Sequence, residues 1–229
     1  MFLKFKGAVL SCALLLAPAL ALAETAITSK TSEVLFDPPH LTLVEKGSEV
    51  KYKFERKVSD EKLAGPGYTD EITVGVFKVA ADGKRDVSLQ VFSGDRARAA
   101  WSETGMTGNP LLLWYLDQCI NQFRAVAGGD RDFLKNTFKI SLRDKSTYEN
   151  VKAEYDGKQV DATRITVVPF VDSKDAKKMR GYEKSKFSIL LSPAVPGYFL
   201  EMASDYESTE SGSAVVNEKI NLVGVGAAK

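Results

Sequence analysis

The residues that most often carry chemistry are scarce in this sequence. It contains one histidine, His40, and two cysteines, Cys12 and Cys119, among 229 residues. A zinc site built from histidine and cysteine needs three or four such ligands, so the sequence predicts no metal site of that kind. A nucleophilic serine or cysteine would have to use His40 as its base, and no Gly-x-Ser-x-Gly motif supplies the serine. We therefore predict a protein that is not an enzyme and has no cofactor.

The reactive residue types that do occur have structural explanations. His40 follows two prolines, which predicts a turn at the start of a strand. Cys119 lies within an apolar segment and is interpreted as a small buried side chain, because a reactive thiol needs an exposed, electropositive setting. Carboxylate pairs can perform acid–base chemistry, so a carboxylate-dependent hydrolase is kept as an alternative to the prediction of a protein that is not an enzyme. Two such pairs lie where strands start and helices are capped: Asp70-Glu71 and Asp130/Asp132.

Residues 1–23 are typical of a secretory signal peptide. Lys4 and Lys6 precede an apolar run, and Ala21-Leu22-Ala23 forms a small-x-small cleavage site. We expect cleavage after Ala23 and export to the periplasm. As an alternative, "VLSC" resembles a bacterial lipoprotein cleavage box that would leave a lipid anchor on Cys12. The apolar run continues for about ten residues beyond Cys12, which favours cleavage after Ala23.

Residues 24–229 are then expected to form a single exported domain. The full sequence has 31 basic and 30 acidic residues, and removal of Lys4 and Lys6 leaves the two signs nearly balanced. A nucleic-acid partner would call for a clustered basic excess, so none is predicted. Cys119 alone cannot close an intramolecular disulfide, so stability must come from an apolar core.

Alternation of apolar and polar residues predicts about eight antiparallel strands. In the first of them, Val50, Tyr52 and Phe54 lie on one face and charged residues on the other. Asp156-Gly157 predicts the tip of a hairpin, and residues 24–47 are interpreted as an extended lead-in with a turn. The predicted strands cover 48–58, 70–80, 86–92, the two arms of 150–171, 186–192, 197–208 and 214–225.

The return arm of that hairpin changes its apolar pattern partway along. Apolar residues occupy Val160 and Ala162, and then Ile165 and Val167. A gain of one residue on a single face would produce this change, so the sequence predicts a β-bulge that bends the sheet.

Two helices with wide apolar faces are predicted in the middle of the chain. The first has Asn109 as N-cap, Pro110 as first residue and Gly128-Gly129 as its stop signal. Its apolar side covers an arc of about 200°, roughly twice what a helix needs when it rests on a flat sheet. A second helix, with Asp130 as N-cap, has an equally wide apolar side. Each helix should therefore be contacted on more than one side.

These elements predict an α+β fold. The fold would be a single curved antiparallel β-sheet, an open half-barrel, with the two amphipathic helices packed on its concave side. Such an interior is either a solid core or a cavity for an apolar ligand.

A signal peptide, long amphipathic antiparallel strands and apolar helices between them make this layout similar to a known class of carriers. It resembles the open-barrel periplasmic carriers typified by the lipoprotein-carrier protein of the outer-membrane sorting pathway. In that family a curved sheet covered by helices forms an apolar cavity for acyl chains. The resemblance is architectural, covers most of residues 24–229, and transfers no binding residue by position. It implies non-enzymatic binding or transport of an apolar or acylated ligand, a lipid or lipoprotein, in the cell envelope.

The helix faces supply the candidate ligand-binding residues. Trp114 lies outside the apolar arc of the first helix, where an indole would cover a neighbouring loop or stand at a cavity mouth. The same apolar side chains could instead be ordinary core packing. The candidates are Leu112, Trp114, Tyr115, Leu116, Phe123, Phe133 and Phe138.

A basic segment suggests a second kind of contact. Residues 172–186 carry six basic and three acidic side chains and predict a solvated loop. Alternatively, Lys177, Lys178 and Arg180 contact a membrane surface or an envelope protein. This supports a second hypothesis, an interaction or scaffold protein with a solid core. A void of several hundred Å3 beneath the helices would favour the carrier, and a packed interior the scaffold.

Overall fold

The computed structural model describes residues 30–228. The predicted signal peptide and Cys12 lie outside the described residues. Within them no helix is long and apolar enough to cross a membrane. The strands are β1 Ser48–Val58, β2 Tyr68–Val79, β3 Arg85–Val91, β4 Trp101–Met106, β5 Thr147–Tyr155, β6 Lys158–Val167, β7 Lys186–Leu191, β8 Phe199–Tyr206 and β9 Val216–Ala227. The α-helices are α1 Glu61–Ala64, α2 Leu111–Ala127 and α3 Arg131–Asp144, and shorter helical turns cover Ser32–Phe36, Gly94–Arg96, Ala176–Lys178 and Tyr182–Lys184.

The strands of the described residues form one antiparallel sheet in the order β4-β3-β2-β1-β9-β8-β7-β6-β5. Strand β9 pairs with β1 on one side and β8 on the other, which joins the first half of the sheet to the second. Helices α2 and α3 connect β4 to β5, the two edge strands, and pack across the sheet between them. The predicted α+β fold, an open antiparallel sheet with two main helices packed on it, is confirmed.

Strand β4 was not predicted. It pairs only with β3, at the edge of the sheet, and all of its residues except Met106 are exposed. An edge strand without a buried face has no reason to alternate apolar and polar residues, so the pattern that identified the other strands is missing here.

The β-bulge predicted in β6 is wrong. Strand β6 pairs with β5 and β7 in continuous register. Ile165 and Val167 belong to the main core, whereas Ala162 and Val160 join a small second cluster with Val195. Because successive side chains of a strand point to opposite faces, the change of pattern marks where burial moves from one face to the other. Register shifts occur instead in the β1–β9, β2–β3, β3–β4 and β7–β8 pairs.

The lead-in segment was predicted to be extended, and its described part is instead helical from Lys30 to Phe36. Leu35 is fully buried. The Thr31 hydroxyl donates a hydrogen bond to the Leu142 carbonyl at 2.8 Å. The turn Ser32–Phe36 is therefore held against the end of α3, a contact that spans more than a hundred residues of sequence.

The predicted helix starts lie within one residue of the structure: α2 begins at Leu111 and not at Pro110, and α3 begins directly after Asp130 as predicted. The Asn109 side-chain oxygen accepts a hydrogen bond from the Leu111 amide at 3.0 Å, and Gly128 follows the last residue of α2 with φ of 78°. The Asp130 carboxylate accepts from the Phe133 amide at 2.9 Å and caps α3. Each cap satisfies amides that the first helical turn leaves without a partner.

The space between the helices and the sheet is packed. The Tyr115 hydroxyl donates to the Ala203 carbonyl at 2.6 Å, which attaches α2 to β8. Between the helices and strands β6 and β7 there is a void of only about 10 Å3. The interior beneath the helices is therefore a solid core.

Candidate ligand-binding cleft

A cleft of about 520 Å3 lies between α2, α3 and the turn Ser32–Phe36. This volume is within the range of roughly 300–1,000 Å3 that is common for small-molecule sites. The turn contributes Ser32 and Phe36 to the lining, and Thr31 directly before the turn also lines the cleft. The cleft therefore opens on the flank of the helix pair, and it shares Leu116, Phe138 and Leu142 with the small void beneath the helices.

Helical spacing explains why both helices line the cleft. On α2 the lining residues recur at positions i, i+3, i+4 and i+7, and on α3 at i, i+3, i+4, i+7 and i+8. Such residues form one stripe along a helix. Each helix thus packs one part of its apolar surface on the sheet and uses an adjacent part to line the cleft. This division accounts for the wide apolar arcs predicted from the sequence. The stripes are Leu113, Leu116, Asp117 and Ile120 on α2, and Lys135, Phe138, Lys139, Leu142 and Arg143 on α3.

The cleft has a buried apolar floor and an exposed apolar rim. Ile120, Phe138 and Leu142 are buried and also belong to the main core. Leu113 is 56% exposed and Phe36 is 41% exposed, although both are large apolar side chains. Exposed apolar residues that adjoin a concave apolar surface are typical of a binding site.

Two of the four charged side chains that line the cleft, Asp117 and Arg143, are paired. The Asp117 carboxylate forms an ion pair with Arg131 and accepts a hydrogen bond from Asn121 at 2.8 Å. The Arg143 guanidinium donates two hydrogen bonds to Asp144, at 2.6 and 2.7 Å. This pairing raises the pKa of Arg143 and lowers that of Asp144. Cation and anion offset each other in both pairs.

Two cationic side chains at the cleft remain without an ionic partner. Within residues 30–228 neither Lys135 nor Lys139 forms an ion pair. Both lysines line the cleft. The cleft therefore carries a net positive charge on its α3 side, next to its apolar floor.

Of the residues proposed from sequence as ligand-binding, Leu116 and Phe138 lie in the cleft. Leu112, Tyr115 and Phe123 are buried in the core. The ring of Phe123 lies 4.0 Å from that of Phe170, centroid to centroid. The structure therefore brings two of the proposed residues together in the cleft and distributes the others through the packed interior.

Trp114 and Phe133 lie outside the cleft lining. The Trp114 ring meets those of Phe54 and Phe92 edge to face, with centroids 6.3 and 5.9 Å away. It thus covers the chain that follows β3, one of the two positions considered for it. Phe133 is partly buried against the main core.

Several residues of the cleft were not proposed from the sequence. Leu113, Ile120 and Leu142 are apolar residues of the two predicted helices, but no local sequence feature distinguishes a helix face that lines a cleft from one that packs on the sheet. Lys135 and Lys139 share the spacing of the α3 stripe, which was the one available signal. The contribution of Phe36 depends on a turn that was predicted to be extended.

The basic segment lies apart from the cleft lining. Lys177, Lys178 and Arg180 are exposed, and Lys178 forms an ion pair with Asp175 at 2.7 Å. Between them Met179 is buried, and the buried Tyr182 donates its hydroxyl to the Ala214 carbonyl at 2.6 Å. The segment is anchored at these two side chains, with its charges in solvent.

His40 and Cys119 are both buried, and each makes contacts that fix neighbouring elements. His40 is 2% exposed, and its Nδ1 accepts a hydrogen bond from the Asn109 amide at 3.1 Å. Burial lowers the pKa of His40 to about 4, so its neutral form is present near neutral pH. Burial raises the pKa of the Cys119 thiol to about 12, which keeps it protonated and unreactive.

A buried polar network fixes α2 to the sheet at another point. The Arg56 guanidinium donates to Glu218 at 2.5 Å and to Gln122 at 2.7 Å. Gln118 donates to the same carboxylate at 3.2 and 3.3 Å. Burial raises the pKa of Glu218, and the charge of Arg56 opposes this effect. Every member has a partner, so the network holds α2, β1 and β9 together.

The described residues contain no group of three or more His, Cys, Asp or Glu side chains suited to a metal ion. No protein-family model and no curated protein matches this chain.

Two solved structures of low sequence identity are among those that resemble this chain. The chain resembles the lipoprotein LppX of Mycobacterium tuberculosis with a TM-score of 0.30 and 12% identity, over 79% of this chain and 87% of that one. It also resembles lipovitellin, in a structure of lipid–protein interactions, with a TM-score of 0.32 and 11% identity. That match covers 81% of this chain and 26% of lipovitellin. At these values the likeness concerns the layout of sheet and helices, and the functional argument rests on the cleft.

Proposed function

We propose that this protein is a non-enzymatic binding or transport protein for an apolar or acylated ligand, which occupies the cleft between α2, α3 and the turn Ser32–Phe36. The cleft carries this proposal through its volume of about 520 Å3 and its apolar floor beneath an exposed apolar rim. The predicted signal peptide supports a periplasmic location, in which the ligand would be a lipid or a lipoprotein acyl chain of the envelope.

The expected driving force is burial of the acyl chain. Each methylene removed from water contributes about 0.8 kcal/mol. Because the space beneath the helices is solid, the ligand has to enter from the open flank. The sheet and the core then need no rearrangement when the ligand binds.

A scaffold role is the second candidate, and the solid core beneath the helices favours it. Its contact surface would be the exposed basic segment with Lys177, Lys178 and Arg180. A scaffold of this kind has no use for the cleft, so ligand binding distinguishes the two functions.

The experiment is a titration of the purified protein with neutral monoacylglycerols of increasing chain length, from octanoyl to palmitoyl, below their critical micelle concentrations. If the acyl chain lies on the cleft floor, affinity should rise about fourfold per added methylene until the cleft is filled. An absence of binding across the whole series would contradict the proposed function.

Two matched variants locate the site. Leu113 on α2 is 56% exposed and lines the cleft, while Ile140 on α3 is 50% exposed and is not part of its lining. Leu113→Gln should weaken monoacylglycerol binding about fivefold, since it removes roughly 1 kcal/mol of apolar contact. Ile140→Gln should leave binding unchanged, and an equal loss in both variants would place the ligand elsewhere.

A further inference from the structure

The α3 side of the cleft carries two lysines that lack ionic partners. Lys135 and Lys139 are one helical turn apart, and like charges at this spacing repel each other and destabilise a helix. Within the described residues no carboxylate pairs with either of them. Helix stability alone therefore does not account for this arrangement.

The surrounding charges do not cancel these two. Asp117, the acidic residue of the lining, is paired with Arg131, and Arg143 is paired with Asp144. A ligand in the cleft would therefore meet two uncompensated ammonium groups beside Phe138 and Leu142, which belong to the same stripe of α3.

We propose that the ligand is an anionic amphiphile whose acyl chain lies on the apolar floor and whose head group is bound by Lys135 and Lys139. This inference rests on the proposed function. A lysine ammonium group has three donors and binds carboxylate or phosphate oxygens through charge-assisted hydrogen bonds, which are stronger than neutral ones. The shared chemistry is an anion at the end of an acyl chain, as in a fatty acid or a lysophospholipid with a terminal phosphate.

The position of the lysines explains why a head group would reach them. The α3 stripe from Lys135 to Arg143 extends about 12 Å along the helix, at ~1.5 Å per residue. Lys135 and Lys139 occupy its N-terminal half, and Leu142 follows one turn further. An amphiphile aligned with α3 would place its anion at one end of the cleft and its chain toward the other.

The test compares anionic and neutral ligands of the same chain length. Palmitate, palmitoyl lysophosphatidate and monopalmitoylglycerol are titrated against the wild type at low salt and at high salt, below micelle-forming concentrations. The anions should bind about tenfold more tightly than the neutral ester, which is what two ion pairs to the exposed Lys135 and Lys139 allow. This preference should shrink at high salt. The tighter-binding anion identifies the head group as carboxylate or phosphate.

The variant Lys135→Gln/Lys139→Gln should reduce the preference for the anions to within about twofold and leave monopalmitoylglycerol binding unchanged. As the matched control, Lys177→Gln/Arg180→Gln removes the same amount of charge outside the cleft lining and should keep the preference. If the control loses the preference as strongly as the cleft variant, overall charge is responsible and the inference is overturned.

The outcomes separate this inference from the proposed function. Equal binding of anionic and neutral ligands by the wild type would leave the cleft as the site of an apolar ligand and overturn the head-group assignment. Failure of every ligand to bind would overturn both. An anion preference that survives the double substitution in the cleft would show that the head group is bound elsewhere.

Discussion

At the scale of single residues, the pKa of His40 depends on how tightly its side chain is packed. Its imidazole packs against the rings of Tyr198 and Phe199, at centroid distances of 4.9 and 4.8 Å, and its Nδ1 accepts a hydrogen bond from the Asn109 amide. Burial holds the folded-state pKa of His40 at about 4, below the ordinary value of 6.5. Between these two pH values the His40 imidazole is therefore neutral in the folded protein and protonated in the unfolded chain.

This difference predicts a pH dependence of stability. The neutral, buried His40 should contribute fully to the free energy of unfolding above about pH 6.5. This contribution should decline as the pH falls toward 4, with a total loss of about 3 kcal/mol. Urea unfolding at pH 7 and at pH 4.5 should show a larger loss for the wild type than for His40→Asn, whose side-chain oxygen can still accept the Asn109 amide.

Because the sequence has one histidine, proton NMR of an untagged protein gives its titration directly. A His40 midpoint near 6.5 in the folded state would contradict the prediction.

Cys119 provides a second test at residue scale. Its thiol is buried, lies 3.4 Å from the Ser204 hydroxyl, and has a pKa raised to about 12 by burial. Iodoacetamide at pH 8 should therefore leave Cys119 unmodified in the folded protein and alkylate it fully in denaturant. Peptide mass spectrometry of protein that begins at residue 24 measures both states. Rapid alkylation of the folded protein would show that α2 is not packed on β8 as described.

At the scale of elements, the network of Arg56, Glu218 and Gln122 fastens α2 to the sheet. Arg56→Met should destabilise the protein by about 3–5 kcal/mol, because it leaves the Glu218 carboxylate buried without its cation. Arg56→Met/Glu218→Leu should recover much of that loss, since no buried charge then remains. Urea unfolding of the two variants and the wild type measures this difference, and a single variant within about 1 kcal/mol of the wild type would count against it.

The two faces of α2 should respond differently to a charge. Leu116 lines the cleft and is partly exposed, whereas Leu112 is buried in the core. Leu116→Asp should leave the protein folded and prevent monoacylglycerol binding, because the carboxylate can reach solvent through the cleft. Leu112→Asp should prevent folding, because its carboxylate would be buried without a partner. Circular dichroism and ligand titration separate the two results, and an unfolded Leu116→Asp protein would mean that this face is core as well.

Elements whose signals are local were predictable from the sequence. The bounds of β1, the hairpin tip at Asp156-Gly157 and the caps Asn109 and Asp130 depend on residues within one turn or one strand. The exposed edge strand β4 carried no such signal.

The cleft could not be predicted because it depends on contacts between distant segments. Thr31 bonds to Leu142 across 111 residues of sequence, and this contact places Phe36 beside α2 and α3. The wide helix arcs correctly indicated contact on more than one side. Which side chains would face a cleft and which a solid core depends on where the turn Ser32–Phe36 lies, and periodicity does not contain that information.

At the scale of the whole molecule, the cleft is built from elements that lie outside the sheet. The turn Ser32–Phe36 precedes β1, and α2 and α3 are inserted between β4 and β5. The sheet forms the base on which the helices rest, and the strands of the described residues take no part in the lining. Ligand binding should therefore stabilise one flank of the molecule locally.

Amide hydrogen exchange with saturating monopalmitoylglycerol tests this expectation. A ligand that binds only the folded state at a hundred times its dissociation constant stabilises that state by about 2.7 kcal/mol. Local opening of Ser32–Phe36 or of the helix faces would break the cleft and release the ligand. Bound ligand therefore makes such opening rarer, and amide exchange in these segments should slow by up to about a hundredfold. Strands β2 and β3 exchange through openings that leave the cleft intact, so their fastest amides should be unaffected. Protection centred on the basic segment around Lys177 would instead assign the ligand to that surface, and the helices would then serve only as the core of a scaffold.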